Sequence, residues 1–427
     1  MSIEKIESAS TEVTDENIAD GIEEDEFGEL YSRDGQRLFR LWEYNVTSYT
    51  IRNGTKIICD RAFKNCYYLR ELTIPFSVTH IGDGAFYKCE SLREVILPSS
   101  VTNIGNKAFE WCASLQELVI PSSVTGIGDG AFRECTSLRE VILPSSVTSI
   151  GNGVFEWCVS LQELVIPSSV THIGNSAFRK CKSLRELFLP AVTCIEDSTF
   201  RGCSSLQKLV IPSSVTRIGN NAFKKCKSLR ELVIPSSVTS IGDRAFLDCS
   251  TLQELVIPSS VTHIGNSVFR SCLSLRKLVL PSSITSIGNK AFAWCRSLQE
   301  LVIPSSVTHI GDSVFRDCSS LRKLVLPSSI TSIGNKAFSG CSSLRELVIP
   351  SSVTHIGDYA FWGCTSLREL VIPSSVTSIG DYAFGGCESL QELEIHSSVA
   401  YIGNSAFGDF SSFEDEEKYE FEDDLPF

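Results

Sequence analysis

Cysteine is the residue whose spacing most suggests chemistry in this chain of 427 residues. Fifteen of its seventeen cysteines form a column from Cys66 to Cys387, with 23 residues between neighbours except for one step of 22. A zinc site needs four ligands converging on one point, whereas a repeating column places its thiols along a line. No C-x-x-C pair is present, and thiols pointing in parallel into a core do not bridge. The spacing therefore predicts free, buried thiols, with Cys59 and Cys194 outside the column and more reactive.

Histidine and serine give no better candidate for catalysis. Five of the six histidines share one column: His80, His172, His263, His309 and His355. From His263 onward histidine alternates with serine, so neighbouring imidazoles stand about 10 Å apart, too far for one ion. The serines lack a histidine and acid partner, and no phosphate-cradling glycine loop occurs. We predict no catalytic residue, metal or cofactor, and therefore not an enzyme.

The elements that position these residues are copies of one unit. Around each column cysteine the chain reads close to L-x-E-L-V-I-P-S-S-V-T-x-I-G-N-x-A-F-x-x-C-x-S. A fixed period of this length is typical of a solenoid, in which each unit needs its neighbours in order to fold. Within one unit, Leu118 and Ile120 alternate with Glu117 and Val119, as in a strand with one buried face. Pro121 then ends the strand, because it lacks an amide hydrogen.

A glycine and a short polar residue follow in almost every unit. We expect Gly128 to supply a backbone angle that a side chain would disfavour. The next position is Asp or Asn in all sixteen coils, from Asp60 to Asn404. A short polar side chain there could cap a helical turn that starts near Ala131 and Phe132. A calcium ladder is the alternative, but half of these positions are neutral Asn, so the pattern favours capping.

The pattern L-x-x-L-x-I-P-x-S-V-T-x-I-G-x-x-A-F-x-x-C-x-S resembles the leucine-rich repeats of the BspA-like type, over about residues 46–410. The resemblance implies an α/β solenoid, namely a right-handed curved array. A parallel β-sheet is expected on its inner face and short helical turns outside. The resemblance also implies protein binding, or surface adhesion in exported members.

Four segments follow from this interpretation. They are an acidic disordered tail at 1–29, an N-terminal cap at 30–54, a solenoid of about sixteen turns at 55–410 and an acidic tail at 411–427. Residues predicted to close the two ends are Val46, Tyr49 and Ile51 with Leu38, Phe39, Leu41 and Trp42, and at the far end His396, Phe410 and Phe413.

Charge is distributed unevenly between the tails and the repeats. Residues 1–29 carry eleven acids and one lysine, and residues 408–427 carry nine acids and one lysine. Removing these contributions of −10 and −8 from the net charge of −13 leaves +5 for the repeats. Their cations are interleaved with acids, which argues against nucleic acid as a partner. An aromatic series in the second tail leaves room for a docking motif: Phe410, Phe413, Tyr419, Phe421 and Phe427.

The sequence also bears on location. The chain starts without the basic and apolar segments of a secretory signal, and it has no stretch of about 20 apolar residues that could span a membrane. A cytoplasmic monomer is therefore predicted. Cell-surface or secreted location by a non-standard route is the alternative.

One coil departs from the repeat between Leu189 and Asp197. It lacks one serine of the Pro-Ser-Ser bend, has Glu196 in place of glycine and carries the additional Cys194. Because bends tolerate changes in length, a neutral deletion is favoured over a functional seam.

The outward strand column is apolar in nearly every coil, with an acidic column and an Arg or Gln column beside it. Two interpretations are weighed equally: strand propensity, which β-branched residues satisfy, and an apolar stripe that accepts a partner. The predicted partner-binding residues are Val165, Phe188, Val210, Val233, Val256, Val279, Arg185, Glu186, Arg230 and Glu231.

The leading hypothesis is a non-enzymatic scaffold that binds an unidentified protein through its concave strand face. A surface adhesin is the first alternative, and glycan on the sequons that begin at Asn45 and Asn53 would favour it. A solenoid that merely spaces two functional tails is the second alternative.

Overall fold

The structure is a computed structural model that describes residues 10–14, 22–24, 29–41, 45–395 and 398–408. These residues form a parallel β-solenoid in which every coil adds a rung to two separate sets of strands. We call the three-residue strands the front strands, and their outward surface the front face. The two-residue strands are the side strands. The segment that joins each side strand to the next front strand is the outer turn.

The front strands pair in parallel with a shift of one coil, so that Glu117 lies opposite Glu140 and Val119 opposite Ile142. At Glu231 and Glu346 the pairing is reduced to isolated bridges. The front strands are Ser48–Thr50, Glu71–Thr73, Glu94–Ile96, Glu117–Val119, Glu140–Ile142, Glu163–Val165, Glu186–Phe188, Lys208–Val210, Glu254–Val256, Lys277–Val279, Glu300–Val302, Lys323–Val325, Glu369–Val371 and Glu392–Glu394.

The side strands follow the Pro-Ser-Ser bend and also pair in parallel, as Ile127 does with Ile104 and Ile150. The side strands are Ile57–Ile58, His80–Ile81, Asn103–Ile104, Gly126–Ile127, Ser149–Ile150, His172–Ile173, Cys194–Ile195, Arg217–Ile218, Ser240–Ile241, His263–Ile264, Ser286–Ile287, His309–Ile310, Ser332–Ile333, His355–Ile356, Ser378–Ile379 and Tyr401–Ile402.

The core consists of columns, each of which repeats one apolar residue type from coil to coil. In the front strands, the period of two buries Leu118 and leaves Val119 exposed, as the alternation predicts. One phenylalanine of each coil stacks on the next from Phe63 to Phe407, with neighbouring ring centroids 4.9–6.0 Å apart. The columns of Cys, Leu, Ile and Val lie around this stack.

The outer turns are not helical, and the prediction of short helical turns outside is wrong. No helix occurs among the described residues. In one outer turn, Lys107 and Trp111 have φ of 55° and 66°, and a right-handed helix cannot pass through these angles. The amide of Cys112 donates to the Phe109 carbonyl at 3.1 Å, whereas the amide of Phe109 donates to Ala131 of the next coil at 2.8 Å. Alternate amides therefore close tight turns, and the others join coils.

The Asp and Asn column does not cap helices, so that interpretation is wrong as well. The Asp83 Oδ1 atom accepts the backbone N–H of Asn106, one coil further on, at 2.7 Å. Asn106 Oδ1 in turn accepts the N–H of Asp129 at 2.8 Å. The Asn side chain also donates to Asp83 Oδ2 at 3.0 Å. The column is therefore a hydrogen-bonded ladder along the solenoid axis, in which Asn supplies donors that Asp lacks.

The repeated glycine has a different cause from the one expected. Gly128 does not have a positive φ. A Cβ atom at this position would lie 2.5 Å from the Asn106 nitrogen and 2.6 Å from the Gly105 carbonyl carbon of the preceding coil. Glycine is favoured here because two backbones approach closely, and only the 22-residue coil, with Glu196, departs from it among the coils that follow another.

The 22-residue coil places its missing residue in the bend. The registers on either side show this, since Glu186 pairs with Lys208 and Cys194 pairs with Arg217. The Val192 amide donates to the Pro190 carbonyl at 2.7 Å, two residues back, whereas the ordinary bend spans three. The phenylalanine stack continues through this coil, with Phe178 and Phe200 centroids 5.5 Å apart.

Three short strands lie at the N-terminal end: β1 (Ile22–Glu24), β2 (Leu30–Ser32) and β3 (Arg37–Arg40). They pair antiparallel with one another, and β3 pairs in parallel with the first side strand. Leu38 and Leu41 are buried against the core, and the Tyr31 hydroxyl lies 2.7 Å from the hydroxyl of Tyr49. The Thr11 carbonyl accepts the Asp60 amide at 3.0 Å, so part of segment 1–29 contacts the first coil.

Several predicted end residues cannot be compared with the structure. Trp42, His396, Phe410 and Phe413, and the whole of the predicted tail 411–427, lie outside the described residues.

Replacing the close-contact glycine should destabilise the solenoid more than replacing its neighbour two positions on. We expect Gly128→Ala to lower the free energy of unfolding by about 1–3 kcal/mol, since it overpacks backbone against backbone. The matched control is Gly130→Ser, which should cost less than about 1 kcal/mol, because Ser176 and Ser267 already occupy this column at positive φ. Urea unfolding measures both. An equal cost for the two variants would contradict the close-approach explanation.

Candidate functional site

The front face presents the predicted contact residues together on one surface. The exposed fractions of the six apolar residues are 57% for Val165, 61% for Phe188, 49% for Val210, 81% for Val233, 61% for Val256 and 43% for Val279. Arg185, Glu186, Arg230 and Glu231 are exposed beside them. The strand register places Phe188 next to Val210 on adjacent rungs, so these side chains form a continuous apolar stripe.

The stripe is longer than the predicted set, because the same column is exposed from Ile96 to Val371. Thr50 and Thr73 occupy it in the first two front strands. Large contiguous exposed apolar patches are uncommon on monomeric proteins, so this column is the candidate binding surface. The sequence indicated the column through its period of two, but did not show that nothing in the described fold covers it.

The charge beside the stripe changes along the solenoid. Glu94, Glu117, Glu140 and Glu163 lie opposite one another on four adjacent rungs, where like charges repel. Further along, Lys277 and Lys323 take this column on either side of Glu300. This column is therefore acidic from Glu71 to Glu186, and lysine first enters it at Lys208.

The outer turns hold their charges in ion pairs between coils. Glu156 pairs with Arg133 at 3.3 Å and with Arg179 at 2.9 Å, and Arg133 lies 3.8 Å from Glu110. Burial raises the pKa of the Glu110 carboxyl. Because these acids are almost buried and each faces an arginine, their geometry suits joining coils rather than capturing a ligand.

The column thiols also serve the fold. Each column thiol from Cys89 onward donates to a phenylalanine carbonyl of the preceding coil, as Cys203 does to Phe178 at 3.0 Å. Burial raises the pKa of Cys203 to about 12. Cys59 is fully buried too, and burial raises its pKa to about 12, so the expectation that Cys59 is reactive is wrong. Cys194 is only half-buried.

The histidines stand singly on the side strands. In His263 and His309, the Nδ1 atom lies within hydrogen-bond distance of the hydroxyl of the preceding threonine, at 2.6 and 2.7 Å. No group of three or more His, Cys, Asp and Glu in the described part of the chain could hold a metal ion.

Comparison with known proteins identifies the repeat. The profile of the BspA type leucine rich repeat region, which spans six copies, matches residues 35–158, 102–230, 172–299, 216–345 and 285–414. The chain belongs to the BspA-type leucine-rich repeat family. No curated protein matches the chain.

Several solved structures of leucine-rich repeat proteins are similar to the chain. A leucine-rich repeat protein from Bacteroides ovatus is 27% identical, with a TM-score of 0.65 over 89% of this chain and 96% of its own. A leucine rich cell surface protein from Faecalibacterium prausnitzii is 30% identical, with a TM-score of 0.48 over 90% of this chain and 96% of its own. The T. pallidum leucine rich repeat protein is 33% identical, with a TM-score of 0.32 over 42% and 77%.

The fold is accordingly a parallel leucine-rich-repeat solenoid of about sixteen turns. Within the described ranges, no helix is long and apolar enough to cross a membrane.

The thiols of this family member should differ sharply in reactivity. In the native protein at pH 8, we expect Ellman's reagent to modify Cys194 first, because the column thiols and Cys59 are buried and their raised pKa disfavours the thiolate. All seventeen should react in guanidinium chloride. The variant Cys194→Ser should lose the fast phase. Mass spectrometry that located the fast label on Cys59 would contradict the assignment.

Proposed function

We propose that this protein is a non-enzymatic scaffold that binds a protein partner through the front face. The exposed apolar stripe carries the proposal, because it runs over adjacent rungs with no covering element among the described residues. Protein interfaces characteristically combine an apolar centre with a polar rim. Here Phe188, Val210 and Val233 form the centre, and Arg185 and Glu231 belong to the rim.

The rigidity of the stripe supports this role. Val210 lies on a backbone that is paired with Phe188 on the preceding rung, and its neighbour Leu209 is anchored in the core. Little conformational entropy remains to be lost when a partner binds to such β-branched side chains. A partner that spans several rungs would gain the same contact repeatedly, and it would be oriented by the charged columns beside the stripe.

Charge on the stripe should abolish partner capture without unfolding the protein. We expect the triple change Val210→Glu, Val233→Glu and Val256→Glu to remove the protein recovered with the wild type in affinity purification, since apolar contact is replaced by charge. The matched control changes the same three positions to Thr, which keeps the β-branched shape. Circular dichroism should be unchanged in both variants. Undiminished recovery with the Glu variant would refute the proposed face.

A surface adhesin is the second candidate, and it would use the same face outside the cell. The observation that favours it is the exposure of Asn45 and Asn53, each the first residue of a sequon. A cytoplasmic location is the leading proposal, since all seventeen cysteines are free, as is usual for proteins of a reducing compartment.

Location can be tested directly on these two asparagines. For the cytoplasmic protein, we expect treatment with an N-glycosidase to leave the electrophoretic mobility of the native chain unchanged. For an exported protein, the treatment should increase the mobility, and Asn45→Gln with Asn53→Gln should reproduce the shift. Glycan on either residue would therefore replace the cytoplasmic proposal with the adhesin.

A further inference from the structure

The positive charge of the repeats is concentrated in two regions. Residues 176–230 contain eleven cations and three acids, and residues 266–345 contain ten cations and three acids. The repeats between and beyond them are acidic, since residues 346–407 contain one arginine and seven acids. A net charge of +5 for the whole solenoid therefore conceals two basic regions. The second lies nearer the C-terminal end.

In the second region, five cations line the border of the stripe on the front face: Arg276, Lys277, Arg322, Lys323 and Arg345. All five are exposed. None forms an ion pair within 4 Å in the part of the chain that the structure describes. The exposed side chains of the stripe lie beside them: Val279, Val302, Val325 and Val348. This surface consequently suits a segment that is both acidic and apolar.

The chain itself contains such a segment beyond the described residues. Residues 414–427 read E-D-E-E-K-Y-E-F-E-D-D-L-P-F, with eight acids and one lysine. Tyr419 and Phe421 alternate with Glu420 and Glu422. In an extended chain, the period of two places Glu417, Tyr419, Phe421 and Asp423 on one side. The two rings would match the valines, and the carboxylates of Glu417 and Asp423 would match the cations beside them.

The span between the end of the solenoid and this surface also fits. Lys323 lies three rungs before the last front strand, and Lys277 lies five rungs before it, which corresponds to about 15 and 24 Å. The ten residues between Gly408 and Tyr419 would have a root-mean-square length of about 17 Å as a flexible chain. The first basic region, around Lys182 and Lys227, is seven to nine rungs away, or about 34–43 Å. Effective concentration is highest where linker length matches the span, which favours the second region.

We propose that residues 414–427 dock in cis on the front face of the same chain, with Tyr419 and Phe421 against Val302 and Val325 and the neighbouring carboxylates facing Lys277 and Lys323. The docked segment covers the C-terminal part of the stripe. An external partner of the front face therefore competes with it. The docking itself does not depend on the partner proposed above, so either proposal can fail alone.

Two full-length preparations test the docking. In the first, the eight acids of 414–427 are changed to Asn or Gln, which leaves Phe410 and Phe413 intact. A fluorescent peptide of residues 414–427 should bind this variant at least 10-fold more tightly than the wild type, whose own segment occupies the face. Raising the salt concentration from 50 to 200 mM should weaken the binding several-fold. Equal binding to both preparations, or none, would overturn the proposal.

Charge reversal then locates the surface. Adding Lys277→Glu and Lys323→Glu to the neutralised variant should lower peptide affinity at least 10-fold. The matched control, Lys182→Glu with Lys227→Glu, should leave the affinity unchanged. Loss of affinity in this control, with none in the Lys277 and Lys323 variant, would move the site to the first basic region and refute the assignment. A peptide with Tyr419→Ser and Phe421→Ser should bind at least 5-fold more weakly. Equal binding of the substituted and the unchanged peptide would mean non-specific charge attraction, and would also refute the assignment.

Carbodiimide cross-linking distinguishes docking in cis from exchange between copies. In the wild type, we expect cross-links from Lys277 or Lys323 to the carboxylates of Glu417 or Asp423. In an equal mixture of ¹⁴N and ¹⁵N chains, these links should join peptides of the same isotope. Links that join ¹⁴N and ¹⁵N peptides in statistical proportion would show that a second copy supplies the segment. Absence of these links would show that residues 414–427 do not occupy this surface. Either result would overturn docking in cis.

Discussion

The distance between successive backbones is the constraint on which this solenoid depends. Coils meet so closely beside each side strand that a Cβ atom at Gly242 would lie 2.6 Å from the Asn220 nitrogen of the preceding coil. With this distance fixed, each side chain stacks on its counterpart one coil away. A residue type can therefore fill a column only if its side chain packs or hydrogen-bonds well against the next coil. Phenylalanine satisfies this by stacking, and the Asp and Asn column by donating and accepting along the axis. Cysteine does so by donating to a carbonyl.

The same constraint explains which features the sequence predicts. Column membership follows from spacing alone, so the buried Leu118 and the exposed Val119 are assigned correctly. The direction of a hydrogen bond does not follow from spacing. Asp83 could cap its own coil or bind the next, and only the fold shows the second arrangement. The prediction of helical turns was wrong for a related reason. Lys107 and Trp111 adopt a positive φ although they are not glycine, and their residue types do not predict it.

The front-face residues could be predicted as exposed, but their surroundings could not. The alternation of Leu209 and Val210 gives the outward direction. Whether a terminal segment or a loop covers the outward residues depends on tertiary packing, to which a single repeat contains no guide. Charge behaves similarly. Glu94 and Glu117 are one period apart in the sequence, but their repulsion becomes evident only when the parallel register places them on adjacent rungs.

The exposed valines also need more than strand propensity to explain them. Thr is β-branched like Val and is favoured in strands for the same steric reason, and it exposes less apolar surface. This chain uses Thr at Thr50 and Thr73, in the same column and the same kind of strand. From Ile96 onward, however, the column is apolar up to Val371. Duplication of repeats can copy a valine, but it does not prevent later replacement by threonine. An apolar column where threonine would also suit a strand is the physical reason for proposing that the front face binds a partner.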